Sequence, residues 1–188
     1  MIGGSISALG QTEKDYSEQV GDINSYLEKI YTSETGGIAL AVVKNGEIVF
    51  QNGFGMANLE YDIPITPNTV FHAASLSKQF TAYAILLLEK EGKLSLNDDI
   101  RKYIPEVPNF GKKITLLHLA SHQSGLRDQW RLLHMGGWRP DDVILTEDIL
   151  DLVSRQTDLN FAPGTKLMYS NSVSSYLALV FTRVSCQS

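Results

Sequence analysis

Between Ser75 and Glu91 the chain carries its longest apolar stretch, centred on Ala82-Tyr83-Ala84-Ile85-Leu86-Leu87-Leu88 and followed by Gly92. This reads as one long helix stopped by a glycine. Glu89 and Lys90 close the run well short of the eighteen or so apolar residues that a membrane span requires, so no membrane span is expected.

The segments around this helix define the fold class. From about Glu13 to Tyr31, apolar residues at Val20, Ile23, Tyr26, Leu27 and Ile30 recur at helical spacing. Ile38 to Val43 and Glu47 to Gln51 are rich in β-formers and flank Lys44-Asn45-Gly46, a tight-hairpin signal. Gly53 to Leu59 is expected to extend the second strand. Short helices are predicted within Leu94–Pro105 and over Ile114–Ser121, with a turn at Gln123-Ser124-Gly125. A helix capped by Thr146 is predicted to run to about Arg155, and another from Asn171 to Ser185. Helix, hairpin, then a long helical region imply an α+β fold with a small antiparallel sheet.

The 188 residues amount to one domain or a large part of one, and 43% hydrophobic content is ordinary for a globular core. Met1 to Gln11 is small and weakly apolar, with no basic residue before Lys14, a poor match to an intact signal peptide, although the small residues Ser7-Ala8-Leu9-Gly10 also fit the tail of one. Residues 1–12 are read as a flexible extension, and 13–188 as the portion that folds. A net charge of −5 disfavours a general nucleic-acid partner, which would show a basic face. The single cysteine, Cys186, excludes an internal disulfide and any zinc site built on paired cysteines.

The chemistry-bearing candidate is Ser75-Leu76-Ser77-Lys78 at the start of the apolar helix. A serine hydroxyl is a weak nucleophile and needs a base beside it. Positions i and i+3 share a helical face, so Lys78 can reach Ser75. Ser-x-x-Lys alone is weak evidence, arising by chance about once in a chain this long. Its bland alternative is a capping serine followed by a solvated lysine. A second motif, Tyr169-Ser170-Asn171, follows Phe161-Ala162-Pro163-Gly164-Thr165. A tyrosine beside an ammonium can act as a general base, and an asparagine amide can bind the lysine and a substrate carbonyl. The alternative there is a core tyrosine followed by a helix cap.

Together the two motifs resemble the first two signatures of the penicillin-recognising serine hydrolases, the second in the Tyr-x-Asn form of class C β-lactamases, D-Ala-D-Ala carboxypeptidases and related esterases. Gly36-Gly37-Ile38 to Phe54-Gly55 resembles the first hairpin of that family. Thr69-Val70-Phe71, Glu91 to Asp98, and Tyr103-Ile104-Pro105-Glu106 resemble its flanking stretches. Leu117-His118-Leu119-Ala120-Ser121-His122-Gln123-Ser124-Gly125-Leu126 is similar to its His-Thr-Ser-Gly-Leu segment. The resemblance implies a β-lactamase/transpeptidase-like fold and a serine acyl-transfer hydrolase acting on D-alanyl peptides, β-lactams or small esters. It implies Ser75 as nucleophile, Lys78 and Tyr169 as the proton-handling pair, and Asn171 as a substrate contact. It implies no cofactor or metal, a small-molecule or peptide partner, and a periplasmic or extracellular setting.

The family's third signature, Lys-Thr-Gly or His-x-Gly on a late strand, does not occur after Asn171. The late strands are expected to be missing. Half of the oxyanion hole would go with them, so weak or no turnover is expected of the 188 residues alone. An uncovered sheet edge would invite self-association. Where relatives often read Gly-Tyr, a mid-helix glycine, a glutamate and a closing Val-Ser-Gly, this chain has Val173-Ser174, Ala178, Thr182 and Val184-Ser185-Cys186. Cys186 in place of a helix-stop glycine would cost about 1 kcal/mol. These departures suggest a truncated or frame-altered copy, or a partial sequence. They also keep open the alternative of a non-catalytic remnant with a binding or regulatory role.

Other signals are weaker. His118 and His122 sit at i and i+4, a spacing that can face a metal, but no third ligand is obvious. His72 is expected to pack. Trp130 to Arg139 reads either as a lid or as a variable surface loop.

Overall fold

The computed structural model describes residues 15–139 and 141–185. The predicted extension at 1–12 and the substitution at Cys186 lie outside the described residues. Contacts divide the chain into two compact units, one ending at His72 and the other beginning at Ala73.

In the first unit, the helical periodicity produces α1, Ser17–Ile30. Strands β1 (Ile38–Lys44) and β2 (Glu47–Phe54) pair antiparallel with Lys44 opposite Glu47, leaving Asn45-Gly46 as the turn. Both turn residues have positive φ, 53° and 85°, as a two-residue hairpin with the native strand twist demands. Val42 faces Phe50 while Val43 faces Ile48, so the ladder slips by one residue in a bulge that adds local twist. The Asn52 amide donates to Asn24 Oδ1 at 2.9 Å, tying β2 to α1.

The second strand does not run on to Leu59 as predicted. It ends at Phe54, and the left-handed backbone of Gly55 turns the chain. Met56–Asn58 (β3) then pairs with Ile63–Pro64 (β4) in a separate two-stranded sheet. The local signal for this break is glycine itself, at Gly53 and Gly55, together with the weak β-formers Ala57 and Asn58 beyond it. His72 is exposed rather than packed, which spares its imidazole the cost of desolvation.

In the second unit a short 3-10 turn, Ala74–Leu76, leads into α2, Ser77–Lys90. Gly92 stops α2 at φ 70°: its N–H reaches the Glu89 carbonyl, and the Lys93 N–H reaches that of Leu88. This closes the helix with the paired bonds of a glycine C-terminal motif. The short helix predicted within Leu94–Pro105 is a single 3-10 turn, Ile100–Lys102. The next elements are α3 (Leu116–Ala120), α4 (Gln129–Met135), α5 (Thr146–Ser154) and α6 (Ser172–Ser185).

Two local expectations are corrected. Thr146 is the first residue of α5, not its cap; the Asp148 carboxylate instead reaches back to the Leu145 N–H at 2.8 Å. The Trp130–Arg139 segment begins as a helix, α4, because Asp128 Oδ1 accepts from the N–H groups of Trp130 and Arg131.

The core of this unit lies among α2, α3, α6 and the segment before α3. Ile85 and Leu88 of α2 meet Leu116 and Leu119 of α3 and a stripe of Val173, Tyr176, Leu177 and Val180 on α6. That α6 stripe has helical spacing, so one face of the helix is dry. Arg183 at its far end forks onto Glu106 at 2.7 and 3.0 Å and onto the Tyr103 carbonyl at 2.7 Å. The paired helices are the frame on which the candidate site is mounted.

Candidate active site

Ser75 sits in the 3-10 turn just ahead of α2, and Lys78 lies in the first turn of α2. Ala74, immediately before the serine, adopts φ 47°. A left-handed alanine costs about 1–2 kcal/mol, and such strain persists only where the surroundings impose it. Tyr169 and Asn171 sit just ahead of α6, which packs against α2. The two sequence motifs are thereby brought together at the leading ends of two packed helices.

The convergence is close. Ser75 Oγ lies 2.8 Å from Tyr169 Oη, across 94 residues of sequence. Lys78 Nζ lies 3.1 Å from Ser75 Oγ and 5.3 Å from the centre of the Tyr169 ring. Tyr169 Oη lies 3.3 Å from Asn171 Oδ1. Ser75 and Tyr169 are exposed and Lys78 is half-buried, so the hydroxyl faces solvent while the lysine stem is sheltered. The Lys78 ammonium, helped by the Ser75 hydroxyl, holds the Tyr169 phenol below its usual pKa.

Asn171 is anchored by Asp128. Its backbone N–H and its Nδ2 both donate to Asp128 Oδ2, at 2.6 and 2.9 Å. Its Oδ1 faces Tyr169, not Lys78. The amide nitrogen is therefore engaged by a carboxylate rather than directed at the lysine.

Two residues of the site escaped the sequence reading. Asp128 caps α4 with one carboxylate oxygen and holds Asn171 with the other. Nothing in its spacing signals this, because the contact crosses 43 residues. His122 stands out in the sequence as half of a metal-like pair and as part of the His-Thr-Ser-Gly-Leu-like segment, neither of which gives it a role beside Tyr169. Its ring lies 4.7 Å from that of Tyr169, tilted by 32°. Its Nδ1 accepts from the Ser170 N–H at 3.3 Å, and its carbonyl accepts from the Met168 N–H at 2.9 Å. Tyr169 is thus clamped between two backbone bonds to one residue. Burial, and then the Lys78 charge, push the His122 pKa down, which keeps Nδ1 free to accept.

His122 also takes φ 56° at the end of α3, a place usually given to glycine. His118 Nδ1 accepts from the Thr115 N–H at 3.3 Å and completes the cap of α3, and burial lowers its pKa as well. Both histidines thus spend Nδ1 on backbone donors. Ser172, buried at the head of α6, donates to the Arg127 carbonyl at 2.7 Å and ties that helix to the loop before Asp128.

The chain is similar to known proteins in sequence and in fold. A sequence model of the β-lactamase family matches residues 18–188. A putative penicillin-binding protein of Bacillus subtilis is 38% identical over 164 residues, covering 87% of this chain and 38% of that protein. A D-aminopeptidase of Gluconobacter oxydans is 36% identical over 136 residues, covering 72% of this chain and 25% of the enzyme. The structure of an octameric penicillin-binding protein homologue from Pyrococcus abyssi superposes with a TM-score of 0.75 at 28% identity, covering 91% of this chain and 40% of that one. The chain therefore spans roughly a quarter to two-fifths of the length of these relatives. With a family match over nearly the whole chain and the mixed helix-and-antiparallel-sheet fold to support it, this chain belongs to the β-lactamase family.

Proposed function

We propose that the chain carries the acylation centre of a serine hydrolase that works through a covalent acyl-enzyme. The observation that carries this reading is the placement of both Lys78 Nζ and Tyr169 Oη within hydrogen-bond reach of Ser75 Oγ. A positioned base at that distance is what a serine hydroxyl needs to become a nucleophile. Ser75 Oγ bonds to the substrate carbonyl carbon as its proton passes to the Lys78–Tyr169 pair. The tetrahedral adduct collapses, the pair returns the proton to the leaving nitrogen or oxygen, and water then cleaves the Ser75 ester.

The substrate class follows from the relatives' names, a D-aminopeptidase and penicillin-binding proteins. They support D-configured peptides and β-lactams, and small esters fit the same chemistry. The two-stranded β1–β2 sheet leaves outer edges unpaired among the described residues, and one relative is octameric. Both support self-association as part of this reading.

Irreversible labelling tests the reading, because a fluorophosphonate accumulates on an activated serine even when turnover is slow. The expected result is one label per folded chain, located at Ser75 and absent in Ser75→Ala. A folded chain that takes no label, from this probe or from fluorescent penicillin, would refute the acylation centre and favour a binding or regulatory role.

A further inference from the structure

We propose that Asp128 is a positioning residue that sets the hydrogen-bond polarity of the site by turning the Asn171 carbonyl oxygen toward the Tyr169 hydroxyl. An asparagine amide has two faces of similar shape and opposite character, one that donates and one that accepts. A carboxylate only accepts. Asp128 Oδ2 lies 2.9 Å from the side-chain amide of Asn171, so the NH₂ group must face it. The same oxygen takes the Asn171 backbone N–H at 2.6 Å, which leaves the side chain little freedom to swing away. The remaining face, Oδ1, is then directed at Tyr169 Oη, 3.3 Å away.

That orientation has a chemical consequence. The single phenol proton is drawn toward Asn171 Oδ1, and the phenol oxygen presents a lone pair to the Ser75 hydroxyl 2.8 Å away. The Ser75 O–H then donates to Tyr169, while the Lys78 ammonium donates to Ser75 Oγ. The direction of the Ser75–Tyr169 bond is thus set from outside the trio, by one carboxylate; the Lys78 ammonium, a donor only, fixes the direction of its own bond to Ser75. The Asn171 carbonyl favours the neutral phenol, whereas its NH₂ group would favour the phenolate. The charged and titratable groups facing Tyr169 are Lys78 from α2, His122 from the loop after α3, and Asp128 from the start of α4. Lys78 pulls the phenol toward ionisation; Asp128 opposes it by its charge and, through Asn171, by hydrogen bonding.

The inference rests on the proposed role of Tyr169 but is tested without catalysis. With tyrosine labelled at ¹³Cζ, the Tyr169 resonance is identified by its loss in Tyr169→Phe and titrated in the intact chain. Asp128→Asn keeps a good cap for α4, since asparagine ranks with aspartate there. With its oxygen kept on the cap, its NH₂ faces Asn171, turns that side-chain amide over to present Oδ1, and leaves the Asn171 backbone N–H without its acceptor. The Tyr169 midpoint is expected to fall by about one pH unit in this variant. Asp128→Ser, another capping residue but too short to hold the amide, is expected to move it the same way. In an Asn171→Ala background the shift caused by Asp128→Asn is expected to shrink to well under half.

A midpoint unmoved in both Asp128 variants, or a shift undiminished without Asn171, would overturn the proposal. Fluorophosphonate labelling of the wild-type chain separates the two readings. Shifted midpoints without labelling would refute the acylation centre and leave the polarity assignment intact; labelling with unmoved midpoints would do the reverse.

Discussion

Replacing Gly125 with alanine is expected to cost far more than replacing Gly92, although the two have nearly the same backbone angle, φ 74° and 70°. Each alanine carries the left-handed penalty of about 1 kcal/mol. The difference lies in the space around the new methyl group. At Gly92 a Cβ meets nothing within 4 Å. At Gly125 it falls 2.1 Å from the Phe161 carbonyl oxygen, so backbone must move by about 1 Å to reach ordinary contact distance.

That backbone is stitched in place. The Asn160 N–H donates to the Gly125 carbonyl at 2.8 Å, that of Gly164 to Gln123 at 2.9 Å, and that of Met168 to His122 at 2.9 Å. Overpacking against a fixed backbone costs about 1–3 kcal/mol. Gly125→Ala is therefore expected to lose about 2–4 kcal/mol, against about 1 kcal/mol for Gly92→Ala. Urea unfolding of the two variants and the wild type measures the difference. The strained loop also carries Asp128, so the rate of Ser75 labelling should fall further in Gly125→Ala. Equal destabilisation of the two variants would show that the 122–128 loop is not held against 160–168, and the account of how the site is assembled would fail with it.

Other outcomes follow from the same geometry. His122→Gly relieves a left-handed side chain but loses the bond to Ser170. The two effects, each about 1 kcal/mol, should leave stability within about 1 kcal/mol of wild type while Ser75 labelling slows by about tenfold or more. A parallel loss of stability and labelling would argue against a clamp on Tyr169. Tyr176 is 1% exposed, its hydroxyl has no partner among the described residues, and burial pushes its pKa up. Tyr176→Phe should raise stability by about 1 kcal/mol, read as a higher melting temperature, since it removes an unpaired buried polar group. Asp98 is held at about 2, first by Lys102, then by Tyr103 and the Ser95 N–H. Its folded pKa lies below its unfolded value of 3.8, so its contribution is complete above about pH 4 and is lost as the pH falls toward 2. Asp98→Asn should flatten the dependence of the urea midpoint on pH in that window; an unchanged slope would remove Asp98 as its source.

Strain gathers around the nucleophile. Ala74 and His122 are two of four non-glycine residues with positive φ among the described residues, and both touch the site's framework. Ala74 presents Ser75 ahead of α2, and His122 turns its ring onto Tyr169. Both conformations are imposed by the surrounding packing rather than by local preference, as expected where backbone strain serves a site.

Strands β3 and β4 and helix α4 are not legible in the sequence, but the order of the other elements, the Asn45-Gly46 turn, the apolar helix with its stop at Gly92, and the Ser75–Lys78 pair are. Each depends on interactions within a few residues, where turn chemistry, capping and the 3.6-residue period act directly. Tyr169 and Asn171 could be nominated from their motif, but their distance from Ser75 could not, because it depends on how α2 and α6 pack through Ile85, Leu88, Val173 and Tyr176. The roles of Asp128 and His122 were invisible for the same reason: each acts on the 168–171 segment across more than forty residues of chain. No local pattern constrains which carboxylate an asparagine amide will find, or which ring a tyrosine will lie against. Those choices belong to the folded core.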